Sequence, residues 1–272
     1  MIKKHGFVAM NGDEFCDYLN RLTVRRNIRT IQIHHTYAPS YKEWQRTPDA
    51  LYWQKQMKEY HVSSAGYSDI AQHFTICPDG MIVTGRNLEN NPAGIIGANT
   101  GAICIENLGN FDSGGDTMTV LHANTIVGAV GELLKKFRLD SSAIVYHCWW
   151  TASGTALGDY VRGRSAKTCP GTAFFGGNTK AAFEKGFKKK VESYLGKEEI
   201  DMERLEALEK RVAELEKEKM IYNYIDENMP QWAREGVQWC VDNGIIKGTG
   251  DGLGLDDKDL KYCTILMRMG KR

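Results

Sequence analysis

Over its first 197 residues the chain alternates between short β-rich runs and longer stretches of helical period. This alternation constrains the fold most, because a strand repeats its apolar side chains every second residue and a helix every 3.6. "TIQIHHT" (30–36) reads as a central strand, and "GAICIENLGNF" (101–111) as another. "IAQHFTICPDGMIVTGR" (70–86) is two β-runs about the turn "PDG", a hairpin. "AIVYHCWW" (143–150) is a strand ending in His147. Between them lie helical patterns. "NGDEFCDYLNRL" (11–22) spaces Phe15, Leu19 and Leu22 on one face. "TPDALYWQKQMKEYHV" (47–62) opens with Thr47 as N-cap and Pro48 in the first turn. "TMTVLHANTIVGAVGELLKKF" (117–137) and the end of "GTAFFGGNTKAAFEKGFKKKVESYL" (171–195) complete the set, and "TASGTALGDYVRG" (151–163) reads as an inserted loop. The expected class is α/β, a mixed central sheet flanked by helices.

The composition changes after residue 197. Residues 1–197 carry a net charge of +6 and residues 198–272 one of −5, although the whole chain is only +1. Such asymmetry predicts units with different partners. "LEALEKRVAELEKE" places Leu205, Leu208, Val212 and Leu215 at 3-4-3 spacing, with Lys219 and Tyr222 next on the same seam. That is a coiled-coil pattern about two heptads long. A helix this short is marginal alone in water, so a partner strand is expected and with it a homo-oligomer, most simply a dimer. The organisation expected is an α/β unit over 1–197, a coiled-coil linker over 198–222 and a small α-helical module over 223–272.

No run of about 18 apolar residues exists, so no membrane span is expected, and no nucleic-acid partner is expected either. The seven cysteines are odd in number and scattered, which predicts reduced thiols rather than a disulfide framework. "MIKKHGFVAM" lacks an apolar core of signal-peptide length, so synthesis in the cytoplasm is expected. A substrate outside the membrane would then require release by other means.

Three features could hold one metal ion: the His34-His35 pair, His147 and Cys169. A catalytic zinc takes about three imidazole, thiolate or carboxylate ligands and leaves a position for water. Taken singly, a strand-end histidine reads as a surface residue and a Cys-Pro turn as structural. His34 and His35 face opposite sides of a strand, and periodicity does not say which side is the cleft. Lys167 stands two residues before Cys169 in "SAKTCPGTAF" (165–174).

Taken together, "IQIHHT", "YSDIAQHFTICPDGMIVTGR", "NTGAICIENLGNF", a strand-end histidine and "KTCPG" occur in one order. This pattern resembles the type-2 N-acetylmuramoyl-L-alanine amidases, relatives of the peptidoglycan-recognition proteins, over about residues 25–195. The resemblance implies a zinc ion on His34, His147 and Cys169, with Lys167 facing the same metal. It implies hydrolysis of the amide between N-acetylmuramic acid and L-alanine, hence lysis of the bacterial wall by an endolysin. Thr36 and Gln72 become substrate-contacting positions. Gln72 stands where several family members have a tyrosine and has no acid–base chemistry near neutral pH. Related enzymes use a glutamate on the neighbouring strand. Glu106 is the nearest candidate, although Cys104 occupies the equivalent position, and the bland role for Glu106 is an ion pair. One alternative is a recognition protein that binds peptidoglycan without cleaving it. Another is a cytoplasmic wall-recycling enzyme, against which the appended segments argue.

"WAREGVQWCVDNGIIKGTGDG" (232–252) resembles an S-layer homology module, which implies binding to a cell-wall polymer. Where that family has approximately Thr-Arg-Ala-Glu, this chain has "DLKYCTILMR" (259–268). Trp232 and Trp239, seven apart, are expected on one helix face, either as a binding pair or as core.

Overall fold

Seven strands pair into one sheet among the described residues: β1 (Ile2–Lys4), β2 (Phe7–Met10), β3 (Thr30–His35), β4 (Phe74–Ile76), β5 (Ile82–Thr84), β6 (Ala102–Asn107) and β7 (Ile144–Tyr146). Their order is β1-β2-β5-β4-β6-β3-β7. The computed structural model describes residues 1–218 and 220–270, with the side chains at 197–201 and 216–218 left aside. The chain divides into two units, Met1–Glu198 and Glu199–Arg272.

In the first unit β4, β6, β3 and β7 run parallel, while β1, β2 and β5 join antiparallel. The sheet is mixed and flanked by helices: α1 (Gly12–Arg21), α2 (Tyr41–Arg46), α3 (Ala50–Ser63), α4 (Val120–Phe137), α5 (Lys180–Lys185) and the first turns, to Leu195, of α6 (Phe187–Glu218). Parallel strands need crossovers that cover both faces, which is why apolar side chains point both ways. On one face Ile31, Ile33, Ile103, Ile105, Ile144 and Tyr146 form a core with Phe15 and Leu19 of α1, Ile126, Val130 and Leu133 of α4, and Phe187. On the other, Phe7, Ala9 and Val83 pack beneath Leu51 and Met57 of α3. α3 touches β2 and β5. On β3 and β6, that second face carries Gln32, His34, Cys104 and Glu106.

Two local expectations need correction. Thr47 does not cap α3; Asp49 does, accepting from Tyr52 N at 3.0 Å. Thr47 ends α2, a helix the pattern did not suggest. Its nucleus is a capping box in which Ser40 and Glu43 satisfy each other's backbone N–H groups. Pro48 disfavours helical geometry at Thr47, so α2 stops there. The second correction is at the end of β7: the strand stops at Tyr146, and His147 opens a short 3-10 turn, His147–Trp149.

α6 continues without interruption from Phe187 to Glu218. Leu205, Leu208, Val212 and Leu215 are 49%, 55%, 53% and 43% exposed. Lys219, the next seam position, lies outside the described residues. In the second unit α7 (Gln231–Asp242) and α8 (Asp257–Gly270) pack around Ala233, Val237, Cys240, Leu260 and Cys263. The two tryptophans part company there. Trp232 is 52% exposed, while Trp239 packs against this core and lies beside Gly270. All seven cysteines are free. Among the described residues no helix is long and apolar enough to cross a membrane.

Candidate metal centre and cleft

Parallel β3, β6 and β7 deliver their carboxyl ends to one edge of the sheet, where open α/β folds gather their functional groups. His34 is the penultimate residue of β3, and its register partner on β6 is Glu106. His147 follows β7 directly. Paired residues on adjacent strands share a face, so His34 and Glu106 both point into the cleft. Asn107 Nδ2 donates to His34 O at 2.7 Å and pins this end of β3.

Cys169 arrives from a loop far along the chain. Asp112 holds that loop twice, accepting from Thr168 Oγ1 at 2.9 Å and from Thr172 N at 2.9 Å. Asn178 Nδ2 donates to Thr168 O at 2.7 Å, and Cys148 N donates to Cys169 O at 2.8 Å. Gly171 adopts φ +121, and a Cβ there would collide with Phe111 O, so the turn after Cys169 requires glycine. The outcome is close convergence. His34 Nδ1 lies 3.1 Å from His147 Nδ1 and 3.6 Å from Cys169 Sγ, and the three donor atoms fall within 4.8 Å of one another.

His35 points to the opposite side. Its Nδ1 accepts from Phe111 N at 3.1 Å, and its ring packs near Phe111. Its backbone N–H faces the cluster, donating to Cys169 Sγ at 3.4 Å.

The cluster opens on a cavity of about 890 Å³ lined also by Thr36, Glu106, Asp112 and Lys167. Burial, then the proximity of His147, holds His34 well below the ordinary imidazole range. Burial, then Lys167, brings His147 down to about 4. Burial raises Glu106 to about 8 against the opposing pull of Lys167. Burial, followed by Glu106, lifts the Cys169 thiol well above its ordinary range. The donor atoms of His34, His147 and Cys169 thus converge on one spot, where burial disfavours charge. A divalent cation there would deprotonate the thiol and accept both imidazoles.

Other expected site residues behave differently. Lys167 is exposed on the cavity rim. Thr36 lines the cavity, but its hydroxyl donates to Pro39 O at 2.6 Å and accepts from Gly109 N at 2.9 Å. Gln72 does not line the cavity. It is fully buried, and its Nε2 donates to Thr75 Oγ1 at 2.9 Å, whose hydroxyl donates in turn to Gln54 Oε1. A group committed to the interior in this way is not placed to contact substrate.

The sequence reading missed one wall. Trp53, Gln56, Met57 and Tyr60 line the cavity from α3, with His61 and Tyr67 beside them. Their i, i+3, i+4, i+7 spacing was a readable stripe, but it looked like any helix face packed on a core.

Residues 24–172, more than half of the chain, match the N-acetylmuramoyl-L-alanine amidase family. The chain belongs to this family. Residues 225–254 match the S-layer homology domain. The amidase region is 30% identical over 140 residues to peptidoglycan-recognition protein SC1a of Drosophila melanogaster, covering 52% of this chain and 66% of that protein. It is 39% identical over 56 residues to protein LB of the same fly, covering 21% of this chain and 23% of that protein. The chain thus spans under two thirds of the length of these relatives. Among solved structures, the endolysin amidase LysCS from Clostridium intestinale aligns over 61% of this chain and 85% of its own, with a TM-score of 0.43 and 23% identity. Wild-type Drosophila PGRP-LB aligns over 56% and 79%, at 0.43 and 21%.

Proposed function

We propose that this amidase domain hydrolyses the amide bond between N-acetylmuramic acid and L-alanine in peptidoglycan, as a zinc-dependent wall-lysing endolysin. One observation carries the reading: two imidazole nitrogens and one cysteine sulfur converge at a cavity that Glu106 and Lys167 also line. The donor set fits zinc in type and number, with three protein ligands and space on the cavity side. His34, His147 and Cys169 are the residues that would hold it. Bound there, the ion supplies Lewis acidity, activating water and polarising the scissile carbonyl.

The chain's own groups supply the rest. Glu106 lines the same cavity as the donor set and serves to move a proton from water to the leaving amine. Lys167 presents a cation at the rim, where the oxyanion of an attacked carbonyl forms. The aromatic wall from α3 provides apolar surface for the rings and stem of the substrate. The S-layer homology segment holds the enzyme to a wall polymer, and the seam on α6 pairs two chains, so that two such segments act together.

Loss of turbidity of purified cell walls, with and without chelator, tests the reading. Chelator-sensitive clearing that releases L-alanine amino termini supports it. Wall binding without such release by the metal-loaded protein identifies a recognition protein instead.

A further inference from the structure

Two buried polar atoms beside the cluster have no partner: Gln32 Oε1 and His34 Nε2. They face the same spot. A Cβ on Gly94 would collide with Gln32 Oε1 and stand 3.1 Å from His34 Nε2. Gln32 precedes His34 by two residues on β3, so both side chains leave the same face of the sheet. The amide of Gln32 is already oriented, because its Nε2 donates to Ala98 O at 2.9 Å. That bond leaves Oε1, an acceptor, beside Gly94, which His34 Nε2 also adjoins, and the two atoms are not hydrogen-bonded to each other in the protein alone.

The ring is equally constrained. His34 Nδ1 faces His147 and Cys169, so Nδ1 is the atom available to a metal. A neutral imidazole that gives one nitrogen to a metal carries its proton on the other. That proton sits on Nε2, buried, and needs an acceptor. Metal-bound histidines regularly donate this second N–H to a carbonyl or carboxylate, which fixes the tautomer and strengthens the ligand.

We infer that Gln32 is the positioning residue of the metal centre: its Oε1 accepts the Nε2 proton of His34 when Nδ1 binds the ion, and Gly94 keeps the space between them open. This rests on the zinc reading above. It explains why an uncharged but polar residue occupies a fully buried position on an interior strand. It also explains why the loop "NNPAG" comes so close with no side chain. Cys104 Sγ lies near the same spot, 3.0 Å from that Cβ position, and is the competing partner.

The test is zinc affinity by chelator competition, with the visible spectrum of the cobalt-substituted protein as a second readout. Wild type, Gln32→Met, Gln32→Glu, Gly94→Ala and Cys104→Ala are compared as full chains. Gln32→Met should lower affinity by about 10–100-fold and alter the cobalt bands. Gln32→Glu keeps an acceptor but loses the donor to Ala98 O, so it should weaken zinc less than Gln32→Met without reaching wild type. Gly94→Ala should weaken zinc like Gln32→Met, and it reports independently should Gln32→Met fold poorly. If wild type binds no zinc, the zinc reading itself fails. If wild type binds and both Gln32→Met and Gly94→Ala bind as tightly, the role of Gln32 is refuted. A loss confined to Cys104→Ala refutes it too and gives the role to the thiol.

Discussion

The Nδ1 atoms of His34 and His147 face each other across 3.1 Å, although 113 residues separate them in the chain. Two lone-pair donors at that distance, with a thiol beside them, gain nothing from each other without a shared proton or cation.

Cys169→Ser should lose zinc and activity together, because a serine hydroxyl is a far poorer ligand than a thiolate. His35→Ala should keep the metal, since its ring faces away. It should still lose about 1–3 kcal/mol of stability, because Phe111 N is left without its buried acceptor. Metal analysis and urea unfolding of both variants check this, and stoichiometric zinc in the serine variant would overturn the ligand assignment.

Lys167→Ala should fold and retain zinc, because its side chain is exposed on the cavity rim. Its turnover should fall about 10²–10³-fold, the usual loss on removing one oxyanion donor. Steady-state kinetics on a soluble muropeptide, beside metal content, decide the matter. Turnover equal to wild type makes Lys167 a surface charge.

Glu106→Gln should lower turnover by about 10²–10⁴-fold. It should also change how the metal-free protein responds to pH. A carboxyl raised to about 8 by folding holds a proton that the unfolded chain has released. Stability therefore falls as pH rises from the ordinary carboxyl value of 4.5 toward 8, at roughly 1.4 kcal/mol per pH unit for one group. The glutamine variant lacks this loss, so its advantage over wild type should grow between pH 5 and 8.

Acid acts through the histidines. His35, His122 and His147 are brought to about 4 and His73 to about 3, in each case chiefly by burial. The unfolded chain takes up protons on them near 6.5 and the folded protein does not. Their contribution is intact above 6.5 and is lost as pH falls toward 4. Urea midpoints of the metal-free protein should drop steeply between pH 6.5 and 4.5, and a flat profile would contradict this burial.

Leu205, Leu208, Val212 and Leu215 stay about half exposed in one chain, so each has apolar surface to give to a second. Light scattering should find the full chain oligomeric at micromolar concentration and Leu208→Lys monomeric with its zinc intact. Monomeric wild type at that concentration would reduce the seam to a linker face. Two heptads bury few residues, at roughly 1.5–3 kcal/mol for each fully buried Leu or Val, so the association should be weak.

Much of the amidase domain was legible in the chain. Period-2 runs at 30–36 and 101–111 and the "PDG" hairpin announced strands, and the 117–137 stretch announced α4. These signals are local, because backbone hydrogen bonding and side-chain alternation repeat within a few residues. Caps were less legible. Thr47 and Asp49 are both good capping residues, and Thr47 is already committed as the C-cap of α2.

For the site, the residue types were legible along the chain: two histidines at expected strand ends and a cysteine before Pro-Gly, with chemistry suited to one metal. The sequence did not determine their meeting. Tertiary structure decided that His34 rather than His35 faces the cleft, because the alternation of β3 became meaningful only once its other face was buried against α1 and α4. Tertiary structure also took Gln72 out of the cleft and into a buried amide chain, and brought Gln32 beside the ring of His34. A side chain's direction follows from its backbone, but what lies in that direction is set by segments tens to more than a hundred residues away.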